Sequence, residues 1–553
     1  MRSLVSVLAL SILASACDDS PTDRPGDYYA ATVPAATVPE TGVRREIFEV
    51  PGYVPSANPD ATTNAATPSR LNATQVVRYR VDARTPVPVS AIVLAMPGFL
   101  AGAGTFDQLA RILVRKSAAE GTPIEVWAID RRSNLLEDLR GMDTAEARGE
   151  PEIAYAYYHQ LAKVGGQEFP GYLEQRDLLF ESEWGLVTHV EDVRRVVALV
   201  PEAERRGHVF LLGHSLGGFF AEAYAAHRFE SDGKRGFDEL AGLILVDGIL
   251  ADAPTDEASY LGGSVAGGFP MPGLTAIRST NPFSELPLLG VAAQTNAEIT
   301  ALRALFDPDG IAVDPERDMQ LAILSGGIDI PKLTNEAALG WAFDSQYQPL
   351  AFARASIGHL AGGPVETYAN AFGGGSLERP SDPSATYTWV DGPDAAPPEV
   401  SSVADLAVSI TSGRTNLAEW YFPTRLSLDL AAVGGGAISE SGWQAGYGLR
   451  TFDGPSDDAP VLCVVAALVG DVARCDSVRT RIAPQVGTGR PLAGQGRGAP
   501  GASVPGFRTL DVSAMAHIDP ASAREGAGNP VPNAVLSFVA ENVAAGTLVV
   551  PAR

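Results

Sequence analysis

The chain has 553 residues, 45% of them hydrophobic and 19% charged, enough for one large domain or two ordinary ones around a substantial core. Its formal net charge of -25 argues against a nucleic-acid partner, because phosphate recognition needs clustered Lys and Arg. The acidic balance reads as a solvated, self-repelling surface and implies no cationic partner.

Arg2 supplies a positive charge, Leu4 to Ala14 form an apolar run, and the small residues Ser15 and Ala16 precede Cys17. Residues 1–16 therefore read as a secretory signal peptide, too short to span a bilayer. "LASAC" resembles a bacterial lipobox, although Leu13 stands four residues before the cysteine rather than three. That resemblance implies that Cys17 is the lipidated N-terminus of an exported, membrane-anchored envelope protein. Plain signal cleavage, giving a soluble periplasmic or secreted protein, is the alternative. Two further cysteines, Cys463 and Cys475, are free to pair in such a compartment, or to remain a buried and a loop thiol.

Residues 17–70, rich in Pro, Ala, Thr and Asp, read as a mostly disordered tether, with "REIFEV" at Arg45 a possible short strand. "TQVVRYRVDA" from Thr74 alternates and reads as a strand. "SAIVLAMPGF" from Ser90 is a continuous apolar run, as in a parallel strand buried on both faces. A helix follows, with Thr105 and Gln108 as a capping box and Gly121 as its stop. "IEVWAID" is the next strand; Arg131, Arg132 and Asn134 leave it in a charged loop, to line a site or to form surface salt bridges. Thr188 and Glu191 cap the helix "HVEDVRRVVALV". "HVFLL" is a strand, followed by a helix through Phe229 and the strand "LAGLILVDG". Strands alternating with helices imply an α/β fold with a parallel sheet.

The alternation stops from Ile249 to Tyr447, where helical pieces are separated by Gly and Pro clusters. "ERPSDPSATYTWVDGPDAAPPEVSS" from Glu378 reads as a loop. The strand "APVLCVVAAL", a Gly/Pro-rich loop, the strand "FRTLDVSAMAHIDP" and the helix "NAVLSFVAENVAA" close the chain. The resulting division is 71–248 and 448–553 as two parts of one core, with 249–447 inserted between them as a mainly helical cap.

"GHSLG" puts Gly213, Ser215 and Gly217 between a strand and a helix, matching G-x-S-x-G. A strand that turns this sharply holds its central residue strained and pushes the side chain outward, and the glycines remove Cβ atoms that would collide. A serine hydroxyl also needs a base. Of seven histidines, His517 alone follows the last strand; His189 and His227 fall in helices, His208 starts a strand, His214 adjoins the serine, His159 lies in a polar, Tyr-rich stretch and His359 in the cap.

At this point the chain resembles the α/β-hydrolase superfamily, in its serine esterase and lipase branch, over Thr74 to Gly248 and Pro460 to Ala545. The resemblance implies a mostly parallel sheet with flanking helices, Ser215 as nucleophile and His517 as base. It puts the orienting acid after the penultimate strand, where Asp471 fits best and Asp476 is an alternative, or after the preceding strand, at Asp247. It implies an oxyanion hole from the N–H groups of Leu216 and Phe99. The expected reaction is hydrolysis of a small-molecule or lipid ester through an acyl-enzyme. An acyltransferase, amidase or peptidase on the same fold, or a non-catalytic surface-binding lipoprotein, are the alternatives. No metal-ligand spacing and no dinucleotide or phosphate loop is present, so no cofactor is expected.

Overall fold

The computed structural model describes residues 42–550, apart from 84, 86, 267–268, 287–288, 374, 396–398, 412, 450–459, 483–505 and 527. The expected signal peptide, Cys17 and the Gly/Pro-rich loop lie outside the described residues. Among the described residues, no helix is long and apolar enough to cross a membrane.

The centre is an eight-stranded sheet. Its strands are β1 (Val43–Pro51), β2 (Ala73–Val81), β3 (Ala91–Met96), β4 (Ile124–Asp130), β5 (Val209–His214), β6 (Gly242–Val246), β7 (Val461–Val465) and β8 (Phe507–Asp511), in spatial order 1-2-4-3-5-6-7-8. β1 and β2 run antiparallel to their neighbours, and the rest are parallel. The central strands are apolar throughout because helices cover both faces. Leu94, Leu211 and Leu245 face one layer with Val190, Val193 and Phe220; Val93, Phe210 and Ile244 face the other with Leu109, Leu113 and Phe538.

The flanking helices include α1 (Asp107–Ala119), α2 (Leu186–Val197), α3 (Leu216–Ala226) and α4 (Val531–Asn542). Two expected caps are absent. α1 is entered through a 3-10 turn, Ala103–Phe106, and the Gln108 amide turns outward to Asp405 at 3.4 Å. α2 starts two residues before Thr188, whose hydroxyl instead donates to Glu183 O at 2.8 Å.

The expected tether is part of the fold from Val43 onward. "REIFEV" lies within β1, which pairs with β2 from Val43↔Val81 to Pro51↔Ala73. Glu46 holds Arg80 at 2.6 Å, a bond that a solvated tether would not retain. The insertion contains helices, as expected, but also small sheets. The segment read as a loop from Glu378 contains a whole strand at Thr386–Asp391, which pairs with Gly358–Ala361. Its alternation buries Tyr387 and Trp389, and that outweighs the flanking prolines.

Candidate active site

Ser215 stands between β5 and α3 with φ 57° and ψ -127°. Close packing forces this conformation. A Cβ on Gly213 would lie 1.9 Å from Gly217 O, on Gly217 2.0 Å from Met96 O, and on Gly218 2.3 Å from Gly248 O. The Ser215 N–H donates to Val246 O at 2.9 Å, which ties the elbow to the end of β6.

The next residue after β6 is Asp247, itself at φ 45°. His517 Nδ1 lies 2.7 Å from Asp247 Oδ2, with both side chains buried. The carboxylate also accepts backbone N–H bonds from Ala466 and Val469 at Oδ1, 2.9 and 3.0 Å, and from Leu468 at Oδ2, 3.1 Å. Burial alone would raise the Asp247 carboxyl. The His517 hydrogen bond and charge, with the loop N–H groups, outweigh burial and hold it below the ordinary carboxylate range.

This corrects the choice of acid. Asp471, favoured from the sequence, is exposed and accepts from Ala473 N–H at 2.9 Å. Asp476 lies in the helix Arg474–Ile482, paired with Arg479 at 2.9 Å. The loop after β7 turns its backbone donors, not its carboxylates, toward the Asp247 carboxylate. Cys463 and Cys475 are joined by a disulfide that closes this loop. The bond fixes the N–H donors that hold Asp247.

His214 Nε2 lies 2.8 Å from His517 O, and the two rings stack at 4.6 Å. A carbonyl only accepts, so this nitrogen carries the proton. Burial, then the charge of His517, push His214 down to about 3, so it is a neutral brace. The elbow turns it onto the His517 backbone, a role its position beside the serine did not suggest.

The loop after β3 lies directly on the serine: a Cβ on Gly98 would stand 2.8 Å from Ser215 Cβ. Arg131, fully buried, holds this loop. Its guanidinium donates to the carbonyls of Pro97, Gly98 and Ala101, lies 3.3 Å from Glu419 Oε2, and stacks on Phe422. The Gly98 carbonyl and the Phe99 N–H share one trans peptide and point opposite ways. A carbonyl drawn to Arg131 therefore sends the Phe99 N–H away from Arg131. Leu216 opens α3, where its N–H has no partner within the helix. Arg132 points elsewhere, to Asp192 at 2.7 Å, and Asn134 bonds Asp130 at 2.9 Å. The charged loop after β4 is thus an interior scaffold, not surface salt bridges.

Among the described residues, no group of His, Cys, Asp and Glu is placed to hold a metal ion. No protein-family model and no curated protein matches the chain. Among solved structures it is similar to a provisionally assigned lipase from Sulfolobus solfataricus, at 14% identity and TM-score 0.41, covering 90% of this chain and 94% of that one. It is also similar to an esterase from Thermogutta terrifontis, at 11% identity and TM-score 0.32, covering 90% and 100%. A thioesterase domain from the curacin biosynthetic pathway is a third, at 13% identity and TM-score 0.28, covering 85% and 95%. These scores are low; the chain's own sheet order and strand-to-helix elbow identify an α/β-hydrolase fold.

Proposed function

We propose that the protein is a serine hydrolase that cleaves carboxylic esters. Ser215 attacks the ester carbonyl, and His517 takes its proton and returns it to the leaving alcohol. Asp247 holds the His517 tautomer with the Nδ1 proton inward, leaving Nε2 free to act as base. The N–H groups of Leu216 and Phe99 receive the developing oxyanion. Water then attacks the acyl-enzyme, with His517 again as base. The insertion over the site selects the substrate. Export through the leader and anchoring through a lipidated Cys17 complete the reading.

The observation that carries it is the strained Ser215, tied through its N–H to Val246 O one residue before Asp247, together with the buried His517–Asp247 pair. A fluorophosphonate probe tests it. The wild-type chain is expected to label on Ser215 and to hydrolyse 4-nitrophenyl butyrate with a burst, while Ser215→Ala does neither and melts normally. A folded wild-type chain that neither labels nor turns over overturns it.

A further inference from the structure

One stretch of the insertion, Ser345 to Ser356, bridges the site. The Phe352 ring meets the Phe99 ring edge-on at 5.9 Å, on the loop assigned to the oxyanion hole. At the other end Arg354 O accepts from Ile518 N–H at 2.9 Å, one residue past His517, and Ser356 N–H donates to Asp519 at 2.8 Å. Beside it opens a cavity of about 170 Å³, whose walls include His517, Arg354, Ser345, Ser356, Leu468 and Ala516.

Arg354 and His517 are the basic residues in that lining. The Arg354 Nε donates to Gln348 O at 2.7 Å and its Nη2 reaches Pro349 O at 3.4 Å. Both are neutral carbonyls, and among the described residues no carboxylate pairs with this guanidinium. Other arginines drawn into the fold have one: Arg78 with Glu125, Arg111 with Asp107, Arg132 with Asp192 and Arg425 with Glu183. In a chain of 66 acidic and 41 basic residues, a half-buried arginine without a carboxylate is uncommon; among the described residues Arg206, which lies over the Phe237 ring, is another. A partly buried cation without a counter-charge is costly, and an anion that enters beside it recovers the loss.

We propose that the ester substrate carries a short arm ending in a carboxylate, and that Arg354 binds this carboxylate in the cavity beside His517. The proposal rests on the serine-hydrolase reading for its reaction, while the anion site stands on its own geometry. At about 30 Å³ for each water-sized group, the cavity takes about five or six non-hydrogen atoms. That suits the free end of a glutarate half-ester and not a long acyl chain.

The test pairs esters that differ in charge at one end. On the acyl side, the 4-nitrophenyl half-ester of glutarate is set against neutral 4-nitrophenyl 5-methylhexanoate. On the alcohol side, 4-acetoxybenzoate is set against neutral 4-acetoxyacetophenone. Hydrogen bonds to a charged partner predict a preference of about 10- to 100-fold in kcat/KM for the anionic member of one pair. Arg354→Gln is expected to bring that ratio to about one, and Arg354→Lys to an intermediate value, with melting temperature as the control for folding. Equal rates on both pairs in wild type, or a preference that survives Arg354→Gln, overturns the proposal. If no ester is turned over, the hydrolase reading fails, and glutarate binding by calorimetry decides the anion site separately. Binding lost in Arg354→Gln supports it, and no binding to wild type overturns it.

Discussion

Replacing Asp247 by asparagine removes one charge and converts one oxygen into an NH2 group. The carboxylate accepts four bonds, two at each oxygen. Asparagine can meet them in two orientations. With its oxygen at the Oδ1 position it keeps the Ala466 and Val469 bonds, and its NH2 faces Leu468 N–H and His517. With its NH2 at Oδ1 it keeps His517 but leaves two buried donors facing a donor. Each unsatisfied donor costs about 1–3 kcal/mol, so the first orientation wins by about one such penalty. There the NH2 donates to His517 Nδ1, and the ring proton moves to Nε2. A protonated Nε2 cannot take a proton from Ser215. In a well-studied triad this error lowers kcat about 10⁴-fold, which is about 5.5 kcal/mol of barrier. Asp247→Asn is therefore expected to lose three to four decades of kcat on 4-nitrophenyl butyrate while remaining folded by thermal melting. Asp471→Asn, which touches only its own turn, stays within about twofold. An Asp247→Asn enzyme within tenfold of wild type, or a collapse in Asp471→Asn, would refute the assignment.

Gly98→Ala is expected to lower kcat by about 10²- to 10³-fold, because its methyl would meet Ser215 Cβ at 2.8 Å and push the Phe99 N–H off the oxyanion. The same assay with wild-type kcat would show that this loop does not serve the reaction. Arg131→Met should cost about 3–5 kcal/mol in urea unfolding, since it strands Glu419 in the interior, and should also lower kcat as the loop carbonyls are released. An unfolding midpoint equal to wild type would refute it. Burial pushes several carboxyls up, Asp130 and Asp143 to about 7 and Glu146, Glu298 and Asp344 to about 8. The folded chain then holds more protons than the unfolded one between about pH 4 and 8, so stability falls as pH rises through that window. Asp247 acts in the opposite sense, losing its contribution as pH falls through its depressed folded value. Melting at pH 5 is expected above melting at pH 8, and the reverse order would refute the summed sign.

The elbow serine, the proposed nucleophile, was legible because its requirements are local. A strand end, three small residues and a helix start fit within eleven positions, and every glycine of "GHSLGG" answers to a contact under 2.5 Å. His517, the proposed base, was legible through the family resemblance, which implies a base after the last strand, where one histidine stands. The acid was not, because its position depends on which loop bends back over which strand. Asp247 and Asp471 both follow apolar runs, and nothing in their neighbours shows that the chain after β7 curls its N–H groups toward β6. The strand at Thr386–Asp391 was missed for a related reason, as prolines on both sides outweighed a four-residue alternation. The first strand was undervalued because a polar, Pro-rich stretch precedes and follows it. Arg131 and Arg132 look equivalent in "DRRS", yet one reaches the loop over the serine and the other reaches α2. Adjacent residues leaving a strand point to opposite sides, so their roles diverge even when their chemistry does not.

The cysteine pair shows how a correct premise reached the wrong residue. A bridge across Cys463 and Cys475 does stiffen a loop next to the acid, as a catalytic carboxylate requires. A carboxylate can be fixed from either end, however: by its own backbone, or by the donors that grip its oxygens. Asp247 is fixed from both. Its backbone sits at a positive φ beside the Ser215 elbow, where its N–H donates to Val464 O at 2.8 Å, and its oxygens sit among three N–H groups of the bridged loop. Positive φ in a non-glycine residue carries a strain of about 1–3 kcal/mol, which persists only where neighbours over-determine the conformation. Five such residues occur among those described, and Leu100, Ser215 and Asp247 are three of them. They fall on the loop over the serine, the serine and the acid. The strain is therefore concentrated where the chain holds the proposed nucleophile, base and anion hole in one geometry, and the disulfide, the Arg131 anchor and the His214 brace are the contacts that hold it there.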